Sequence, residues 1–371
     1  MSQYISGASS KIGAIKETNF NETPVGTKTA LRMTSESLSA TYNRLDEGVL
    51  MASKTVPQQD LGSVGVSGGL NLVLNPSFIE WLLETGLGSK TDTTPSDQPT
   101  GATLVEKTYK LAGVNDDIPT SSLELWRGTE GFTYSGMTIS TLSIDATAQD
   151  YVKADVSFNG TKETKKDGSS TVGESTSLGS YKCTKAKLFK EDAGSDEIDD
   201  FSNLTWGACP ASYGSTDIQF DVEKSVLSID NGLETTPATY CSGLYANKPS
   251  HGQRTVTLTC NVPYSSGFEA FRQKYYVEDS LTYDTANNGL LALMLCFGSK
   301  EQITYTPYGG SSEVTEPAHQ VFVILPNIQL TSATANASGN GLIDGSYAGT
   351  ALSIGDTEPL IIITRDYTAS V

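Results

Sequence analysis

The sequence predicts a mainly β fold: two tandem β-sandwich or β-barrel domains, each flanked by one short α-helix. Three observations carry this. Among 371 residues, 35 are Gly and Ser and Thr abound, while long helical periodicity is absent. Residues 66–88 read as a strand running straight into a capped helix. The same layout then recurs about half a chain later, which is the mark of a duplicated unit.

In the first of these stretches Leu70, Leu72 and Leu74 alternate with Asn71 and Val73, the period of a strand. Asn75-Pro76 follows. An Asn side chain accepts an unsatisfied amide at a helix N-cap, and Pro needs no donor at the first helical position. Phe78, Ile79, Leu82 and Leu83 fall on one helical face, and Gly86 is the expected stop. In the recurrence, Val256, Leu258 and Cys260 form the strand and Val262-Pro263 a break. The helix is expected from Ser265 or Ser266, with Ser266 and Glu269 at capping-box spacing and Phe268 and Phe271 on the apolar face. Downstream, Asp155-Val156-Ser157-Phe158-Asn159-Gly160-Thr161 can be laid on Asp344-Gly345-Ser346-Tyr347-Ala348-Gly349-Thr350. The expected organisation is an N-terminal domain over residues 1–190, an acidic linker over 191–203, and a C-terminal domain over 204–371.

Along the chain, residues 1–27 are polar and read as an arm, with Ile12, Ile15 and Phe20 able to pin it to a neighbour. Residues 31–42 are strand-like. Residues 44–62 are too long for a tight turn and too apolar for an idle loop, and Val49, Leu50, Met51 and Val56 are candidates for contact with another subunit. Residues 89–103 read as a solvated connection, 104–112 and 121–126 as strands, and 131–144 as two more. Residues 152–158 close the sheet, 162–173 form a Lys- and Gly-rich loop, and 181–189 another strand. In the second half, residues 217–229 alternate, Asn231-Gly232 signals a turn, and residues 233–253 take the place of the earlier long loop. That segment supplies three further contact candidates, Tyr240, Leu244 and Tyr245. The runs 290–297, 321–330 and 360–364 complete the β-structure.

The formal charge is −18, unevenly spread: residues 1–190 hold 18 basic and 21 acidic side chains, residues 191–371 hold 7 and 22. Such a chain is a poor nucleic-acid binder, because phosphate neutralisation needs Lys and Arg. Its charge serves solubility, or a surface that lies near nucleic acid without holding it. No run reaches the roughly 18 apolar residues that span a bilayer, and the first residues lack the pattern of a secretory signal, so no membrane anchor is expected. The five cysteines, Cys183, Cys209, Cys241, Cys260 and Cys296, have no Cys-x-x-Cys spacing and read as buried free thiols.

A search for chemistry finds no convergent set. His251 and His319 stand in polar contexts without partner spacing and read as solitary and exposed. Residues 62–69 are glycine-rich but lack the order of a phosphate loop and a Walker lysine. There is no G-x-S-x-G elbow. The expectation is no enzyme, no cofactor, no metal.

Four stretches together carry a family likeness. They are Lys11-Ile12-Gly13-Ala14-Ile15-Lys16-Glu17-Thr18-Asn19-Phe20-Asn21-Glu22-Thr23-Pro24, Leu31-Arg32-Met33-Thr34-Ser35-Glu36-Ser37-Leu38, the strand-helix from Gly68 to Leu83, and Phe132-Thr133-Tyr134-Ser135-Gly136-Met137 with Val156-Ser157-Phe158. The chain resembles the tail tube proteins of long-tailed bacteriophages, of the siphophage type with two tandem tube domains. The resemblance implies a structural virion protein, made in the host bacterial cytoplasm. Its sheets would join side by side into rings that stack as a hollow tail tube for DNA delivery. It implies a trimeric ring of pseudo-sixfold symmetry, tape measure and tail terminator or tip proteins as partners, DNA passing without specific binding, and no catalytic residues. The alternative is a surface adhesin or carbohydrate-binding β-sandwich protein, for which acidic, Thr-rich strands are also usual.

Overall fold

The structure is a computed structural model describing residues 7–45, 59–113, 116–174, 179–182, 187–192, 206, 218–234, 243–245, 247–264, 290–336, 343–355 and 357–369. It is mainly β. The first half forms β1 (Lys11–Lys16), β2 (Thr29–Leu31), β3 (Met33–Glu36), β4 (Ser39–Leu45), β5 (Asp60–Val73), β6 (Gly88–Thr93), β7 (Ala102–Leu111), β8 (Ser121–Arg127), β9 (Glu130–Thr147), β10 (Lys153–Gly160) and β11 (Lys162–Lys166). The second forms β12 (Lys187–Asp192), β13 (Ile218–Asp221), β14 (Lys224–Asp230), β15 (Leu233–Glu234), β16 (Ser250–His251), β17 (Thr255–Pro263), β18 (Leu290–Gly298), β19 (Gln302–Tyr305), β20 (Val314–Pro317), β21 (His319–Asn336), β22 (Asp344–Ala351) and β23 (Ile361–Ala369). Between β5 and β6 lies the helix α1 (Pro76–Leu87).

The two halves are laddered alike, and every pairing between the described strands is antiparallel. β1 pairs β2 and β8, β8 pairs β9, β9 pairs β10 and β11, and β5 pairs β10, β3 and β4. In the second half β12 pairs β13 and β18, β18 pairs β21, β21 pairs β22 and β23, and β17 pairs β22 and β14. Two further ladders join the halves, β9 to β14 and β7 to β23.

The hinge of each half is an 18-residue strand carrying two irregularities. In β9 the register against β8 shifts between Ser121 and Leu123, around Gly136 at φ 67°. A Cβ there would sit 2.4 Å from Thr161 Oγ1, so only glycine fits. A second shift leaves Ser140 without a partner on β10, and its hydroxyl donates to the Ser157 carbonyl at 3.1 Å. β21 does the same. Its register against β18 skips Pro326 and Asn327, a place where a missing N–H costs no ladder bond, and Thr331 bulges and donates to the Ala348 carbonyl at 3.2 Å. The bulge thus equates Ser140 with Thr331 and Ser157 with Ala348. The sequence match had set Ser157 against Ser346, two residues away.

α1 forms where the residues predict it. Asn75, extended at φ −144°, accepts the Ser77 N–H at 2.7 Å, and Pro76 fills the first position. Phe78, Ile79, Trp81, Leu82, Leu83 and Leu87 are buried, and Trp81 Nε1 donates to Ser121 Oγ at 3.0 Å. Each side chain so buried contributes about 1.5–3 kcal/mol. The stop is not Gly86, which lies buried in the last turn, but Gly88 at φ 97°, whose N–H returns to Glu84 O. The counterpart helix expected from Ser265 or Ser266 lies outside the described residues.

Other readings change as well. The expected connection over 89–103 begins with β6, a strand with an exposed end that hydrophobic alternation cannot reveal. Residues 131–144 form one strand, not two, because the Gly136 kink leaves the chain extended. The expected loop 162–173 opens with β11, and Glu191 and Asp192 of the expected linker close β12. Cys260 and Cys296 are buried and form no disulfide; the other three cysteines lie outside the described residues.

Candidate assembly surface

The strands β4, β5, β10, β9, β14, β17, β22 and β21 follow one another as neighbours in one ladder. Alternation gives this sheet two unlike faces. Inward lie Leu70, Leu72, Ala154, Val156, Leu142, Ile144, Leu227, Ile229, Leu258 and Tyr347, all buried. The other face carries Ser, Thr and Asn, and its charged residues on β9, β10, β14 and β22 are Asp145, Asp155, Asp230, Asp344, Lys153 and Lys224. Both lysines are matched, Lys153 to Asp150 at 2.6 Å and Lys224 to Asp145 at 2.7 Å. Among the described residues, β9, β10, β14 and β22 therefore offer this face no unmatched lysine.

The junction of the halves sits in the middle of the ladder. β14 lies on β9 with Leu227 opposite Ile144 and Ser228 opposite Ser143. At its end Asn231, fully buried, donates from Nδ2 to the Gly86 and Ile139 carbonyls at 3.0 and 2.9 Å, while its N–H bonds Ser140 O. The sequence reading took Asn231-Gly232 for a plain turn. Gly232 does turn, at φ 55°, but Asn231 is a plug that locks β14 to the end of α1.

The described part of the second long segment, residues 243–245, meets one end of β5. Val64 forms an isolated bridge to Tyr245, its N–H donating to Leu244 O at 2.8 Å, and Lys162 Nζ stands 5.6 Å from the Tyr245 ring centroid. Around them Tyr42, Leu45, Leu61 and Leu244 are exposed. Of the seven contact candidates, the structure brings Leu244 and Tyr245 together here; Val49, Leu50, Met51, Val56 and Tyr240 lie outside the described residues. Sequence reasoning missed Tyr42, Leu45 and Leu61, whose strand alternation disguised their exposure.

Elsewhere the buried charges hold structure. Glu124, fully buried on β8, accepts from Trp126 Nε1 at 2.7 Å, the Thr171 N–H at 2.7 Å and Lys166 Nζ at 2.5 Å. Burial works to raise its carboxyl pKa, but the bonds from Lys166, Thr171 and Trp126 prevail and hold it at about 2. Glu17 gathers Thr120, Ser122, the Asn21 N–H and the Gly136 N–H, tying the N-terminal segment to the β9 kink. Neither histidine is solitary: His319 Nδ1 lies 2.7 Å from Asp366, and His251 Nε2 lies 2.8 Å from the Asp116 carbonyl. No cluster of three or more His, Cys, Asp or Glu suited to a metal occurs among the described residues.

No curated protein matches the chain. The family model for phage tail tube protein matches residues 7–351. A match over nearly the whole length, on a mainly antiparallel β fold with one described helix, places the chain in the phage tail tube protein family.

Proposed function

We propose that the chain polymerises as stacked rings into the hollow tail tube of a bacteriophage, a conduit for DNA delivery. The observation that carries this reading is the ladder from β4 to β21, a sheet with one buried face and one hydrophilic face poor in free cations. With that face as the lumen wall, Asp145, Asp155, Asp230 and Asp344 outnumber the two paired lysines. Phosphate then meets weak repulsion within a Debye length of about 8–10 Å, and DNA passes without being held.

The matching ladders support two tube domains, and because β12 ladders with β13 and β18 of the second half, their boundary falls before residue 187 rather than at 190 with 191–203 as linker. Three chains then supply six similar domains around a pseudo-sixfold axis. The exposed cluster of Tyr42, Leu45, Leu61 and Leu244, with the apolar candidates Val49, Leu50, Met51, Val56, Tyr240 and Tyr245 on the same two segments, forms the contact between rings. Tape measure and terminator or tip proteins are the further partners, the assembled site is the virion tail, and synthesis is in the host cytoplasm.

Electron microscopy of the concentrated protein tests the proposal, with rings or tubes expected and a three-chain ring by native mass spectrometry. Deleting residues 49–57 should leave a folded monomer. Isolated monomers of the intact chain with glycan affinity would instead favour an adhesin, and six chains per ring would remove the two-domain reading.

A further inference from the structure

The two ends of the ladder are the same kinds of edge that meet in its middle. The Ser140 and Thr331 bulges equate β9 with β21, so Ser143 and Ile144 correspond to Thr334 and Ala335. Just past each bulge, Phe158 faces Gly68 and Gly349 faces Leu258, which equates β5 with β17. Their outer partners then correspond too. Ser39, opposite Ser67, matches Ser228, opposite Thr257, and the neighbouring Leu38 and Leu227 are each 2% exposed.

The difference lies in what covers them. β14 is sandwiched between β17 and β9, whereas the outer side of residues 37–42 has no strand partner among the described residues. The corresponding side of residues 332–336 has none either. Burial records this: Ile229 and Ile144 are covered, while their counterparts Ala40 and Ala335 reach the core only in part. The edge is also guarded. Leu38 N–H donates to Glu36 Oε2 at 3.1 Å, its carbonyl accepts from Arg127 at 3.2 Å, and the Arg127 guanidinium grips Glu36 from 2.9 and 3.0 Å. Charged side chains laid on an unpaired edge are a usual defence against premature pairing.

We infer that residues 37–42 of one chain add to residues 332–336 of a second copy of this chain, antiparallel, with Ser39 opposite Thr334, Leu38 opposite Ala335 and Ala40 opposite Ala333. The inference rests on the proposed ring and specifies its chain-to-chain seam as a repeat of the β9–β14 junction. The two edges are different, so the contact is head-to-tail, and a closing rotation makes a ring. Docking exchanges the Glu36 and Arg127 bonds at Leu38 for two backbone bonds to Ala335. The Ser37 N–H points inward to Gly69 O, so by alternation the Ser39 N–H does as well. Ser39 and Thr334 then form a closely spaced pair without mutual backbone bonds, with Cα atoms about 4.5 Å apart, within disulfide reach.

A chain carrying Ser39→Cys and Thr334→Cys, assembled and treated with a mild oxidant, tests the register by peptide mapping. An interchain 39–334 disulfide at least about tenfold above either single variant is expected. Ser143→Cys with Ser228→Cys is the intrachain control, and both pairs are solvent-accessible replacements that leave the core intact. Rings whose control links while 39–334 does not would overturn the seam and leave the tube standing. Failure of the wild-type chain to assemble under microscopy would overturn both.

Discussion

β9 and β21 are strands of equal length with the same pair of kinks, yet they differ in company. β9 has neighbours on both sides over most of its length, β8 and β11 up to the Gly136 kink and β10 and β14 beyond the Ser140 bulge. β21 has β18 and β23 in its first part, but beyond Thr331 only β22 among the described residues. The contrast teaches that finishing an edge is a matter of what lies beside it, since both strands alternate alike. Under the inferred seam it also separates two kinds of energy in one sheet: β14 contributes to folding, and its counterpart at residues 37–42 to association.

Proline breaks the comparison most sharply. Ile229→Pro removes an N–H aimed at β9, on the same side as the Asn231 N–H bonded to Ser140 O, and loses a fully buried side chain. The cost exceeds about 3 kcal/mol, and loss of the cooperative unfolding transition is expected. Ala40→Pro, at the corresponding position, removes an N–H aimed away from β5. The monomer should unfold within about 1 kcal/mol of wild type while assembly, followed by light scattering, disappears. Equal damage by both would erase the distinction.

Asn231→Ala is next in size. It strands the Gly86 and Ile139 carbonyls in a buried junction at about 1–3 kcal/mol, measurable as a lower denaturation midpoint with unchanged slope. Tyr42, its exposed counterpart, should tolerate Ala in the monomer.

A separate effect is a pH dependence confined to the first half. Glu124 has a folded pKa of about 2, below the ordinary carboxylate value, so its contribution is present above about pH 4.5 and fades as pH falls toward 2. β18, the counterpart of β8, is apolar along its length and carries no such group. Glu124→Gln should lower the stability at neutral pH and flatten its fall between about pH 4.5 and 2 in denaturant titrations.

How much of this the residues announced follows from what they can encode locally. α1 was legible because Asn75 and Pro76 act within one turn. The inner strands were legible because Leu70, Val156 and Leu258 alternate with polar neighbours. The choice between Gly86 and Gly88 was not, since only backbone handedness separates two glycines so close together. β6 escaped because its end is exposed and polar, and Asn231 because its partners are carbonyls from residues far away in the chain. The open edges were illegible for a related reason: Leu38 and Leu227 sit in the same local pattern, and only the neighbour differs.

The hydroxyl-plugged bulges also leave a mark on how such a chain can diverge. Side chains in a strand repeat every two residues, so an odd insertion between the bulge and its hairpin would turn Val156, or Tyr347, out of the core. Only even steps are silent. The two-residue displacement between the sequence match and the bulge alignment is such a step: Val156 falls on Gly345 in the one and on Tyr347 in the other, and both lie on the buried side of β22.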